Sequence, residues 1–294
     1  MSEPVHLWSV EGNRQWLDGG AMFGNVPRAL WQNWNPPDTR GRIELACRAL
    51  LARIGGLWVL CEAGIGAFMD PKLADRFGVE PKDRNVLPDS LNGAGVTLDQ
   101  VDLVILSHLH FDHAGGILPP YAAAQEPGTP ELLFPKARYV VGAEALRRAQ
   151  RPHLRDRASF VPGLAEKLKR TGRLLVVDKE HDPSLPKELS FFFSEGHTPG
   201  QMHTRIKGAG TTVVFCGDLI PGTAWVPLPI TMGYDRFPER LVEEKSTLYQ
   251  SAVAQKWLLY FTHDPKTVAS HVQIDENGKY TATDLQSALV NWTL

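Results

Sequence analysis

Apolar residues along this chain come in short blocks separated by Gly, Asp, Ser and Pro. The clearest are HLWSV (6–10), ACRALLARI (46–54), LWVLCEAG (57–64), VDLVILS (101–107), ARYVVG (137–142), RLLVVD (173–178), LSFFFSEG (189–196) and TTVVFCGD (211–218). Most are rich in β-branched or aromatic residues and too short for helices, so they read as strands. Several are apolar at every position, which suits strands covered on both faces. Helical spacing appears over 143–150, 160–170 and 238–257. In the last of these Leu241, Leu248, Val253 and Trp257 recur among charges, as on the buried stripe of an amphipathic helix.

Local signals add punctuation. Thr97 with Gln100 three residues on is a capping-box pattern for a short helix ahead of VDLVILS. DENGK (275–279) carries the Asn-Gly of a hairpin turn. Two stretches, 18–42 and 119–136, are rich in Gly, Pro and small residues and read as long loops. Strands and helices alternate to the end with no linker-like segment, so residues 1–294 are expected to form a single α/β domain.

Composition narrows the class. With 294 residues, 43% of them hydrophobic, the chain can bury a large core. A net charge of −2 supplies no strong basic field for nucleic acid or an anionic membrane, and neither partner is expected. No apolar run reaches the roughly 18 residues of a spanning helix, and the first residues lack the basic-then-apolar order of a signal peptide. Cys47, Cys61 and Cys216 are far apart and in apolar settings, with no CxxC pair. They read as buried thiols in a reducing compartment, which makes the cytoplasm the expected location.

The chemistry is concentrated in SHLHFDHAGG (107–116). His108, His110, Asp112 and His113 follow an all-apolar strand. Alternate positions on extended backbone point the same way, so His108 and His110 share one direction. A tight turn would bring Asp112 and His113 to a second point, and Gly115 and Gly116 permit close backbone approach. Imidazole and carboxylate together suit Zn, Fe, Mn or Co. Further ligands are then expected where other apolar runs stop. His197 in GHTPG, Asp218 in GDLIP and His263 in THDP all meet that condition. His6, His153, His181, His203 and His271 lack it and read as ordinary polar residues, His203 least clearly.

This ordered set, His-x-His-x-Asp-His followed by Gly-His-Thr-Pro-Gly, Gly-Asp and a final His, resembles the metallo-β-lactamase superfamily of binuclear hydrolases. The resemblance implies an αββα sandwich of two mixed sheets flanked by helices, with two divalent transition-metal ions, zinc first among them, at one edge. It also implies His108, His110 and His197 on one ion, Asp112, His113 and His263 on the other, and Asp218 bridging. Asp218 rather than Cys at the bridge points away from true β-lactamases, and His110 rather than Glu away from flavodiiron enzymes. Only about thirty residues follow His263, too few for the C-terminal helical domain of glyoxalase II relatives.

GGAMFGNVPRALWQNW, GHTPGQM, GDLIP and MGYD are similar to the acyl-homoserine lactonase branch. That likeness implies opening of lactone rings, acyl-homoserine lactones and hence quorum quenching foremost, by a hydroxide held between the two ions. Asp112 would serve as ligand and proton donor. Where some lactonases of this branch carry a tyrosine three residues past the bridging aspartate, this chain has Pro221, and Tyr234 is the nearest substitute for steadying the substrate carbonyl. The apolar side chains of 18–42, Met22, Phe23 and Trp31 among them, could line an acyl groove, cap the sandwich or form a homodimer contact. Organophosphate triesters or phosphodiesters, as in methyl-parathion-hydrolase relatives, are the alternative substrates. A metal-binding protein without catalysis is disfavoured, because a structural zinc site needs only four ligands.

Overall fold

The computed structural model describes residues 3–294. Two sheets face each other. The seven-stranded sheet runs in the spatial order Trp292–Thr293, His6–Val10, Ala49–Ile54, Leu57–Cys61, Leu103–Leu106, Arg138–Gly142 and Leu174–Val177. The six-stranded sheet runs Tyr280–Gln286, Ala269–Ile274, Leu258–Tyr260, Thr212–Phe215, Gln201–Lys207 and Leu189–Ser194. Both are mixed. Leu57–Cys61, Leu103–Leu106, Arg138–Gly142 and Leu174–Val177 pair in parallel, whereas His6–Val10, Ala49–Ile54 and Leu57–Cys61 pair antiparallel. In the second sheet only Thr212–Phe215 and Leu258–Tyr260 are parallel neighbours.

The period of two along each strand separates the core into layers. From Ala49–Ile54, Leu50, Ala52 and Ile54 enter the space between the sheets, with Val59, Ile105, Phe191, Met202, Phe215 and Tyr260. Ala49 and Leu51 face outward, against Leu87, Leu91, Ala145, Leu146, Leu164 and Leu168 of the flanking helices. On the far side Val214, Cys216, Leu259 and Phe261 meet Leu241, Leu248, Tyr249 and Ala252 of helix Pro238–Gln255. This helix–sheet–sheet–helix layering explains why the strands read as apolar throughout: each face of these central strands has its own partner.

The expected elements are present with shifted ends. The strand in 46–54 starts at Ala49, the helix in 160–170 starts at Leu164, and the long helix stops at Gln255. Gln100 Oε1 accepts from Thr97 N at 2.8 Å, capping a single 3-10 turn, Leu98–Gln100. The Asn-Gly turn joins Ala269–Ile274 to Tyr280–Gln286 with Gly278 at φ 74°. The stretch 18–42 departs from expectation. It is not an open loop but holds two short helices, Gly19–Phe23 and Arg28–Trp31, between the paired strands Gln15–Asp18 and Arg42–Leu45. Asp18 caps the first, accepting from Ala21 N at 2.8 Å, and its apolar residues bury a small core of their own. The three cysteines are buried and free. Among the described residues no helix is long and apolar enough to cross a membrane.

Candidate metal centre

Every expected ligand stands just past a strand. Leu103–Leu106, buried at all four positions, delivers His108 and His110 on extended backbone. His110 then precedes the one-turn helix Phe111–Ala114, which swings Asp112 and His113 to the other side. The close approach needed after it is real: a Cβ on Gly116 would stand 1.9 Å from the Ala63 carbonyl oxygen. His197 lies between Leu189–Ser194 and Gln201–Lys207, in a turn whose Glu195 and Gly196 amides donate to the Glu244 carboxylate at 2.8 and 3.0 Å. Asp218 sits in the turn after Thr212–Phe215, and His263 follows Leu258–Tyr260.

These side chains form two adjacent groups, His108 with His110 and His197, and Asp112 with His113 and His263. His110 Nδ1 lies 2.9 Å from His108 Nε2 and 3.2 Å from His197 Nε2. Nε2 of His113 and of His263 are 3.2 Å apart. Asp218 stands between the groups, with Oδ1 3.3 and 3.1 Å from Nε2 of His113 and His263, and Oδ2 3.2 Å from Nε2 of His197. Nitrogens bound at 2.0–2.1 Å to one tetrahedral zinc sit roughly 3.3 Å apart, so the spacing fits such an ion. All seven side chains are buried, and ring nitrogens face ring nitrogens, His108 with His110, His110 with His197 and His113 with His263, an arrangement that a shared cation resolves.

Three of the remaining ring nitrogens are tied back, whereas His110 Nε2 and His113 Nδ1 are buried without a hydrogen-bond partner among the described residues. His197 Nδ1 pairs with Asp235 Oδ1 at 2.9 Å, and Asp235 Oδ2 accepts from Met232 N at 2.6 Å. His263 Nδ1 donates to the Ala46 carbonyl at 2.7 Å, and His108 Nδ1 pairs with Ser107 Oγ at 2.8 Å. His113 Nδ1 faces Glu62 Oε2 at 3.6 Å. Gln15 Nε2 donates to Asp112 Oδ2 at 2.7 Å. Such contacts fix ring orientation; against burial, the Asp218 charge holds His113, His197 and His263 above the usual imidazole range, so a cation would displace protons from those inward nitrogens. Charge follows the same plan. Burial opposes ionisation of Asp218, but His113, His197 and His263 hold its carboxyl well below the usual range. Burial, then the neighbouring imidazoles, pushes His108 and His110 well below theirs, so both rings are neutral donors.

Glu62, Gln15 and Asp235 were not among the residues singled out from the sequence. Glu62 had a usable signal, since it too follows an apolar strand. It holds φ 69°, a conformation rarely adopted by a non-glycine residue, and its Oε1 accepts from Ser107 N at 2.8 Å. Burial raises its carboxyl to about 7. His203 is buried on Gln201–Lys207, pairs with Ser194 Oγ at 2.8 Å and stacks on Phe192, apart from both groups.

Above the histidines opens a pocket of about 500 Å³. Its wall includes Tyr234 and Met22, together with His110, Asp112, His197, Asp218 and His263. Phe23 and Trp31 do not line it, which corrects the groove role expected of them. Phe23 is fully buried, stacked on Trp225 at 4.6 Å and on Trp31 at 5.6 Å, so both rings support the pocket wall from behind.

An αββα sandwich with clustered His and Asp ligands at the strand ends defines a metal-dependent hydrolase scaffold. The model of the metallo-beta-lactamase superfamily matches residues 42–263, and the chain belongs to that superfamily. No curated protein matches the chain. Among solved structures, it is similar to a probable metal-dependent hydrolase from Staphylococcus aureus, with 24% identity, TM-score 0.83, and coverage of 100% of this chain and 99% of the other. Hydrolase AbOPH of the beta lactamase superfamily is 19% identical with TM-score 0.74, over 97% and 96% of the two chains. The dizinc quorum-quenching lactonase AidC, solved with the product N-hexnoyl-L-homoserine, is 18% identical with TM-score 0.71, over 96% and 95%. At these identities the likeness concerns the fold.

Proposed function

We propose that this chain is a binuclear hydrolase that opens lactone rings, with zinc the first choice of ion and acyl-homoserine lactones the first substrates to try. The observation that carries the reading is the Asp218 carboxylate, whose two oxygens address different histidine groups at 3.1–3.3 Å. A structural zinc site has no use for that division. Two bound cations would acidify a water and polarise a carbonyl oxygen.

The chain's own residues supply the rest. His108, His110 and His197 would hold one ion, Asp112, His113 and His263 the other, and Asp218 both. Gln15 steadies Asp112 by donating to Oδ2; the carboxylate would hold its ion through one oxygen and with the other would pass a proton from the attacking water to the leaving alkoxide. Tyr234 stands on the same wall. Burial, then the charges of Asp112 and Asp18, holds its phenol above the ordinary value, so it stays protonated at neutral pH and able to donate to a carbonyl oxygen. Met22 offers an apolar contact for a chain. The lactonase neighbour AidC lends this choice of substrate support by analogy of fold only.

The test is turnover by the metal-loaded protein of a lactone series beside paraoxon and bis-nitrophenyl phosphate. Lactones are expected to lead. A higher kcat/KM for either phosphorus ester would replace the lactonase reading with the phosphoesterase one.

A further inference from the structure

The pocket wall carries five arginines, Arg40, Arg42, Arg76, Arg155 and Arg236, on a chain whose net charge is −2. They come from two sides. Arg40, Arg42 and Arg76 belong to the ribbon and helix of residues 15–77, while Arg155 and Arg236 flank the loop that bears Tyr234. Four aspartates share the wall, and each already has a partner elsewhere through at least one oxygen. Asp112 and Asp218 face the histidines. Asp18 caps the helix Gly19–Phe23. Asp156 is held through Oδ2 by Arg148 at 2.6 and 3.0 Å, with Oδ1 buried and without a hydrogen-bond partner among the described residues.

The arginines differ in how well they are satisfied. Arg42 is paired with Asp38 at 2.8 Å. Among the described residues no carboxylate lies within 4.0 Å of the guanidinium of Arg40, Arg76 or Arg155; that of Arg155 reaches only the Gly233 carbonyl, at 3.2 Å. Arg236 is the least satisfied. Its side chain is 12% exposed, its nearest carboxylate oxygen is that of Asp156 at 3.8 Å, and Nε and Nη1 are buried without a hydrogen-bond partner. A mostly buried guanidinium with idle donors is costly unless something meets it. Its planar fork suits a carboxylate or phosphate. The alkyl chain of a neutral lactone meets none of these groups, and the lactone's carbonyls offer no charge to match the fork.

We propose that the natural substrate is a lactone or ester that, unlike the neutral acyl-homoserine lactones tried first, carries an anionic group, a carboxylate or phosphate, away from the bond that is cleaved, and that Arg236 and Arg155, with Arg40 and Arg76 opposite, bind it. The proposal rests on the hydrolase reading for the location of the reacting end. It makes the arginines specificity residues that both draw in and orient the substrate.

Calorimetry on the metal-loaded protein tests it without turnover. The probes are a homologous series of α,ω-dicarboxylates, the monocarboxylates of equal length, and ω-phosphonocarboxylates. One carboxylate can meet the centre in every probe, so only the far end differs. At the best length the second anion should tighten binding by about tenfold, and added salt should erode that advantage. A phosphonate advantage over the dicarboxylate that is lost in the arginine variants would point to phosphate as the natural group, since a phosphonate end can also meet the centre. Arg76→Gln with Arg155→Gln, both at exposed positions, should bring the affinity ratio of dianion to monoanion near one, and Arg236→Lys should lower it by losing the fork. Monoanions binding as tightly as dianions at every length, or variants weakening both alike, would overturn the anion site and leave the hydrolase reading intact. Failure to hydrolyse any lactone or phosphorus ester would remove that reading while the binding ratio still decided the arginines.

Discussion

At the floor of the pocket, His197 and His263 each have one ring nitrogen anchored, at 2.9 Å to Asp235 and 2.7 Å to Ala46, and the other aimed at a shared centre. At the rim, the guanidinium groups of Arg40 and Arg76 line the pocket with no paired carboxylate among the described residues, and Tyr234 is partly exposed. The floor is held by strands buried on both faces. The rim comes from the ribbon, the short helices and the loops 151–160 and 225–237. A centre that must place donors to a few tenths of an ångström belongs on rigid elements, whereas selectivity can be built on loops that a scaffold positions. Changes at the floor should therefore remove activity outright, and changes at the rim should redistribute it among substrates.

The largest effect is expected from Asp218→Ala. Loss of the carboxylate that addresses both groups should release metal and lower turnover of every substrate by more than about 10³-fold. Metal analysis with kinetics checks it. Full metal content with normal activity would place the bridging role elsewhere and blur the distinction between floor and rim.

Phe23→Ala tests the layer beneath the rim. Phe23 is stacked between Trp225 and Trp31 with no exposure, so the variant should lose about 3–5 kcal/mol of stability, read by denaturant unfolding. The relative rates for long and short acyl chains should hardly move. Met22→Ala, on the pocket wall, should instead penalise long chains selectively, since each buried methylene is worth about 0.8 kcal/mol. If Phe23→Ala showed the chain-length dependence instead, the ring would be reaching substrate after all.

The same contrast governs how much could be read in advance. His108, His110, Asp112 and His113 lie within six positions at the end of a buried strand, and His197, Asp218 and His263 repeat the strand-end placement, so local pattern exposed them. The layers were legible for a related reason, because central strands covered on both faces are apolar at nearly every position. The ribbon Gln15–Asp18 and Arg42–Leu45 was hidden, since each strand is only four residues long and pairs across a gap of more than twenty. Phe23 and Trp31 looked like groove residues because apolar character alone cannot distinguish a lining from its support. The arginines gave no signal: they are scattered from 40 to 236 and converge only in the fold.

Asp235→Asn probes the boundary between floor and rim, because Asp235 stands on a rim loop yet orients His197. The weaker acceptor should cost about 10–100-fold in affinity for the ion that His197 would hold, with activity recovered as metal is raised. Lys245 belongs to the same support. Buried in helix Pro238–Gln255, it donates to the carbonyls of Trp225, Pro227 and Ile230 at 2.6, 2.9 and 3.1 Å and so shapes the chain leading to Met232 and Asp235. An Asp235→Asn variant with unchanged metal affinity would make the pair ornamental to the centre and confine the floor to the seven ligands.

The smallest change is expected from Tyr234→Phe, and it bears most directly on whether the rim takes part in chemistry. The phenol lines the pocket with Asp112 and is kept protonated by burial and by the charges of Asp112 and Asp18. If it donates to a carbonyl oxygen as negative charge develops there, the contact is stronger in the transition state than in the ground state. Its removal should then lower kcat by about tenfold with little change in KM, a modest share of a complete oxyanion site. Because a raised phenol pKa means the donor form persists across neutral pH, the wild-type advantage should be flat there and fall only in alkaline solution, as the phenol ionises. A variant that raises KM and leaves kcat alone would make Tyr234 a binding surface, and the rim would then contribute selectivity without touching the reacting atoms.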